Sequence, residues 1–164
     1  MAFNLTLKSF EDGATIPVKH TCDGDDLSPM VRWDEAPKGT ASFALIMEDP
    51  DAPGSTFTHW IVYNIPPSEN MLEDVQPIAK KLDNGAIQGK NDFGKLGYRG
   101  PCPPKGETHR YVFRVYALKK KLAPESANDR EDFYAAIKGQ VLDEAEYTGT
   151  YKRKGMPTSA EGME

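Results

Sequence analysis

The clearest regular pattern in this chain has a period of two. In residues 109–118, HRYVFRVYAL, one face of an extended segment carries His109, Tyr111, Phe113, Val115 and Ala117. The opposite face carries Arg110, Val112, Arg114, Tyr116 and Leu118, the alternation of a β-strand. Phe3, Leu5 and Leu7 repeat the period near the start, and residues 30–33 are a further short strand candidate. Residues 40–48 and 59–65 are apolar at nearly every position, which predicts strands buried on both faces. Turn-forming glycine and proline separate these segments, and no helical stretch long enough for a crossover lies between them. A doubly wound parallel sheet is thereby excluded. The pattern predicts a mainly β fold, an antiparallel β-sandwich with one or two peripheral α-helices.

Helical periodicity enters only late. Asn128 is placed to cap a helix, with Glu131 three residues on as its capping-box partner. Phe133, Ile137 and Val141 follow at intervals of four, with Ala136 beside them. A last strand is predicted over 146–151. Residues 68–108 have six glycines and no long periodic run, the mark of a functional loop system. One domain over 1–154 and a tail at 155–164 are expected.

A net charge of -5 gives no global attraction to nucleic acid or to an anionic membrane, so an anionic ligand needs a local site. No apolar run is long enough for a membrane span, and the first residues hold no signal-peptide stretch. A cytoplasmic location is therefore expected. In that setting Cys22 and Cys102 are two free thiols by default, with a disulfide as the alternative.

The chain has 3 histidines, and two of them occupy matching contexts. His59 follows DPDAPGSTFT, and His109 follows GPCPPKGET. In each case a proline-stiffened loop delivers the histidine to the start of an apolar strand, where it can face a pocket mouth. His20 lacks such a setting and reads as a surface or loop residue. Of Asp49 and Asp51, either one orients a histidine or receives a ligand's cationic group, or both cap loop amides as aspartate often does. Tyr111 shares the face of His109 and offers a hydroxyl; its alternative is an ordinary core aromatic. Gly100 would let backbone N–H groups approach a ligand oxygen. Two histidines and two carboxylates could ligate zinc or iron, but no compact ligand pair occurs, so neither a metal nor a cofactor is expected. No nucleophile elbow surrounds Ser28 or Ser55, which leaves acid–base hydrolysis by the Asp/His cluster as a lesser alternative to binding.

The runs DGDDLSPMVRW (23–33), EDPDAP (48–53), THWIVYNIP (58–66), NDFGKLGYRGPCPPKGETHRY (91–111) and EAEYTGTYKR (144–153) resemble the phosphatidylethanolamine-binding proteins, which include the Raf kinase inhibitor proteins. The likeness is strongest to their bacterial and archaeal branch. It implies a non-enzymatic binding module with a small anion pocket for phosphate-like or phosphoethanolamine groups. Carried over by position, the pocket walls are Asp49, His59, Gly100, Cys102, Pro103, His109 and Tyr111, with Asp51 and Pro53 shaping the first loop. A cis peptide before Pro53 is implied as well. The implied partner is a phosphorylated small molecule or a phospholipid headgroup. The family also admits a homodimer, and protease or kinase inhibition through surface loops by a partner the sequence does not name. The chain departs from the family at Phe57, where Trp is frequent, and at Gln140, where bacterial members often carry His. Imidazolium formation at the two histidines would make phosphate bind more tightly at pH 5.5 than at 8.

Overall fold

The computed structural model describes residues 2–153. The tail expected at 155–164 lies outside the described residues. Two antiparallel sheets carry the fold. The smaller orders its strands β1-β2-β5: β1 (Asn4–Leu7), β2 (Val31–Asp34) and β5 (Met71–Leu72). The larger has the order β6-β4-β3-β7-β8: β6 (Ile87–Gln88), β4 (Phe57–Ile65), β3 (Ser42–Asp49), β7 (Thr108–Leu118) and β8 (Val141–Lys152). One α-helix, α1 (Arg130–Ile137), and a 3-10 turn at Val18–His20 complete the regular structure among the described residues.

The apolar pattern explains the layering. One core lies on the face that β7 marks with Phe113 and Val115; Leu5 and Leu7 of β1 and Val31 and Trp33 of β2 meet Phe43, Leu45, Met47, Trp60 and Val62 there. A second core, on the other face of the large sheet, holds Ala44, Ile46, Ile61, Tyr63, Tyr116 and Leu118 beneath Phe133 and Ile137 of α1. β3 and most of β4 are therefore covered on both sides, as their unbroken apolar runs require. Glu48 is buried under α1, where it accepts hydrogen bonds from Arg114 Nη1 at 2.8 Å and Tyr134 Oη at 2.9 Å and pairs with Arg130. A buried carboxylate needs such partners, and here they tie the helix to the sheet.

Several boundaries differ from the sequence expectation. The helix is capped by Asp129, whose Oδ1 accepts from Asp132 N at 2.8 Å; Asn128 instead donates to Glu125 Oε1. Both residues suit a cap, and tertiary contacts select the later one. Val141 begins β8 and is not a fourth member of the helical stripe. The last strand runs the full length of its pairing with β7, from Leu118–Val141 to Thr108–Lys152, because β7 supplies a hydrogen-bonding edge along all of it. No cis peptide is present among the described residues, so the bond before Pro53 is trans.

Candidate functional site

Asp49, His59, His109 and Tyr111 gather at one end of the large sheet, on the face toward the small one. Strand parity alone puts His109 and Tyr111 of β7 there, and Asp49 at the end of β3 shares that face with Met47 and Leu45. His59 arrives differently. Along β4 it is two residues before Ile61, which packs under the helix, so strict alternation would place it on the wrong face. Between Met47–Trp60 and Glu48–Thr58 the β3–β4 register slips by one residue, and His59 is the extra one. Such a bulge re-aims a side chain. The imidazole of His59 thereby meets the Tyr111 ring edge-on, with centroids 5.3 Å apart, and the His109 ring lies 6.4 Å from Tyr111. Both histidines thus converge on one tyrosine, and Phe57 and Phe93 wall the His59 side at 5.1 and 5.7 Å.

The hydrogen bonds assign chemical roles. His59 Nδ1 lies 2.7 Å from the carbonyl oxygen of Arg99. A carbonyl can only accept, so Nδ1 carries the proton and neutral His59 keeps Nε2 as an acceptor. Burial pushes His59 down to about 4, against an ordinary value of 6.5. His59 therefore stays neutral between pH 5.5 and 8, and the imidazolium expected there does not form at this residue. His109 lies between two carboxylates: Nδ1 is 2.7 Å from Asp49 Oδ2 and Nε2 is 2.9 Å from Glu107 Oε1. Burial raises Asp49 above the usual carboxylate range, while its bond to His109 opposes the shift. The three groups form a row joined by two hydrogen bonds, one at each nitrogen of the His109 ring. Asp49 also accepts from the amide of Asp51 at 2.8 Å, so it both orients a histidine and caps its loop.

The remaining expected residues fall into two groups. Gly100, Cys102 and Pro103 lie in the loop whose residue Arg99 binds His59. A Cβ on Gly100 would sit 1.9 Å from the carbonyl oxygen of His20, so glycine is needed there for close packing of two backbones. Its amide donates to Asp26 Oδ1 at 2.8 Å and is thus engaged within the protein. Asp51 turns to the other face, where it grips Arg110 through Nε at 3.0 Å and Nη2 at 2.8 Å and accepts from the Arg110 amide. That hydrogen-bonded pairing holds Asp51 at about 2. Asp51 joins the EDPDAP loop to β7 from outside and does not meet the histidines. Pro53 is an exposed loop residue.

Cys22 and Cys102 form a disulfide, with Cα atoms 5.4 Å apart. The expectation of two free thiols is corrected: the loops that carry them are pressed together by contacts between distant segments. His20, expected at the surface, is buried, with Nδ1 2.7 Å from the Leu27 carbonyl and Nε2 2.9 Å from Ser9 Oγ. Glu107 was not among the expected residues, although its place two residues before His109, just ahead of β7, was a signal. Phe93 and Asp26 gave no local signal. Among the described residues no metal-holding group of His, Cys, Asp and Glu occurs, and the two carboxylates sit at opposite ends of the His109 ring. No helix among them is long and apolar enough to cross a membrane.

The phosphatidylethanolamine-binding protein profile matches residues 6–152. The chain belongs to the phosphatidylethanolamine-binding protein family. Archaeal and bacterial relatives extend nearly end to end: a UPF0098 protein of Methanothermobacter thermautotrophicus is 49% identical, covering 92% of this chain and 99% of the relative. A UPF0098 protein of Aquifex aeolicus is 47% identical, covering 89% of this chain and 86% of its own length. Among solved structures, Escherichia coli YbcL, described as a new member of the mammalian phosphatidylethanolamine-binding protein family, superposes with a TM-score of 0.86 at 37% identity, covering 93% of this chain and 99% of YbcL. A phosphatidylethanolamine-binding protein homolog of Chlamydia trachomatis gives 0.85 at 36% identity, with coverage of 93% and 99%. The family is named for binding, and the mainly β architecture of two antiparallel sheets is that of its members.

Proposed function

We propose that this protein binds a small phosphorylated headgroup that also carries an amine, of the phosphoethanolamine type, at the end of the large sheet where His59 and His109 flank Tyr111. The observation that carries this reading is the mixed polarity of the site. Neutral His59 has an unprotonated Nε2, and Asp49 and Glu107 bring negative charge within hydrogen-bonding distance of His109. Such a site disfavours a bare, fully ionised anion. A ligand with its own N–H or O–H groups can donate to His59 Nε2 and to a carboxylate while its phosphate meets donors at the rim. Phe57, Phe93 and Tyr111 keep water from competing on one side. The ligand named in the family description fits this pattern. Neither protease or kinase inhibition nor hydrolysis by the Asp/His cluster has an observation of its own in its favour.

Isothermal titration with phosphoethanolamine, ethanolamine and inorganic phosphate tests the reading. Phosphoethanolamine should bind more tightly than either fragment, and His109→Ala, which releases Asp49 and Glu107 from the ring that aligns them, should weaken it by roughly tenfold or more. Equal affinity for phosphoethanolamine in the wild-type protein and in His109→Ala would refute it.

A further inference from the structure

We infer that Arg153 is the cation that holds the phosphate group at this site; the inference rests on the binding reading above and names the residue that completes it. Two neighbouring cations are already engaged. Arg99 donates through Nε to Asp26 Oδ2 at 3.1 Å. Arg110 is held two-pronged by Asp51 on the opposite face of β7. Arg153 differs from both. Its side chain is only 10% exposed, yet Nε and Nη1 are buried with no hydrogen-bond partner among the described residues. Among the described residues it is ion-paired with Asp23, but Oδ1 is 3.6 Å from Nε, which is too long for a hydrogen bond. The other oxygen of Asp23 accepts from Tyr151 Oη at 2.6 Å.

The position of Arg153 is set by β8. Tyr151 lies opposite His109 and is buried in the inter-sheet core. Arg153 follows two residues on, just past the last paired position, Lys152. Alternation returns it to the face of Tyr151, roughly 7 Å further along the strand. The shared partner Asp23 supports this placement, since both side chains reach it. Asp23 in turn adjoins Cys22, whose disulfide to Cys102 fixes this loop against the one that binds His59. Arg153 therefore stands just beyond the His109–Tyr151 pair, where a phosphate whose amine lies between the carboxylates would reach it. A buried guanidinium with unused N–H groups carries the cost of lost hydration until an acceptor arrives. Phosphate matches its planar fork, and a lysine would not reproduce that geometry. The division of labour follows: Asp49 and Glu107 face the amine, and Arg153 faces the phosphate.

The test uses the full, oxidised chain with inorganic phosphate, phosphoethanolamine and ethanolamine as separate probes. Arg153→Gln should weaken phosphate and phosphoethanolamine by roughly 10- to 100-fold and leave ethanolamine unchanged, with Arg153→Lys recovering only part of the loss. In the wild-type protein, the Nε–H resonance of Arg153 should shift on adding phosphate, a readout that needs no variant to fold. If Arg153→Gln binds phosphate as the wild type does, or the resonance does not move when phosphate saturates the protein, the inference fails while phosphoethanolamine binding that depends on His109 still stands. If the wild-type protein binds none of the three probes, both readings fall.

Discussion

Removing the disulfide is the perturbation whose effect follows most directly from the structure. Cys22 and Cys102 close a loop with a sequence separation of 80 residues. In the chain-entropy account, a cross-link of that span restricts the unfolded chain by roughly 4 to 5 kcal/mol. The folded side should change little. The same two loops are also joined by Tyr98 Oη donating to the His20 carbonyl at 2.7 Å, by the Gly100 amide and the Arg99 side chain on Asp26, and by the Cys22 amide on the Pro101 carbonyl at 3.1 Å. The double variant Cys22→Ser, Cys102→Ser should therefore keep its near-ultraviolet circular dichroism and its ligand site. Its thermal midpoint should drop by roughly 8 to 20 °C, given about 2 to 4 °C per kcal/mol for a domain of this size. Guanidinium denaturation of the oxidised wild type, the reduced wild type and the double variant measures the difference. Reduced wild type and double variant should coincide. A denaturation midpoint equal to that of the oxidised protein would refute the loop-closure reasoning, and a variant that folds but loses the near-ultraviolet spectrum would refute the claim that the other contacts suffice. Disulfides persist in oxidising compartments and inside hyperthermophiles, so the cysteines lend no support to a reducing cytosol.

Two further predictions concern the same region. His59 is held down to about 4 by burial, below the 6.5 of an exposed histidine, so the unfolded chain binds the extra proton between those values. Its contribution to stability is complete above pH 6.5 and is lost as pH falls toward 4, a change of about 3 kcal/mol. His59→Gln should flatten the rise in urea stability between pH 4.5 and 7, and an unchanged slope would show that another group sets it. Gly100→Ala places a methyl group 1.9 Å from the His20 carbonyl oxygen and 2.7 Å from Asp26 Oδ1. Backbone cannot yield that far without parting the two loops, so the variant should lose about 3 kcal/mol or more in chemical denaturation; wild-type stability would count against the close approach.

What the sequence determined by itself was everything set by local period. Alternation over 109–118 placed His109 and Tyr111 on one face, and unbroken apolar runs marked β3 and β4 as covered on both sides. The helix was legible from spacing of four, though not its cap, because Asn128 and Asp129 are equally suited until their neighbours compete for them. Tertiary structure alone decided what depends on pairing between distant segments. The bulge that turns His59 toward Tyr111 exists only relative to β3, and parity within β4 points the other way. The disulfide, the burial of His20 and the outward grip of Asp51 on Arg110 likewise arise where loops far apart in the chain are brought together. A period is written in one segment and survives without the rest of the molecule; register and loop contact are properties of two segments at once, and the physics that fixes them is absent until both are folded.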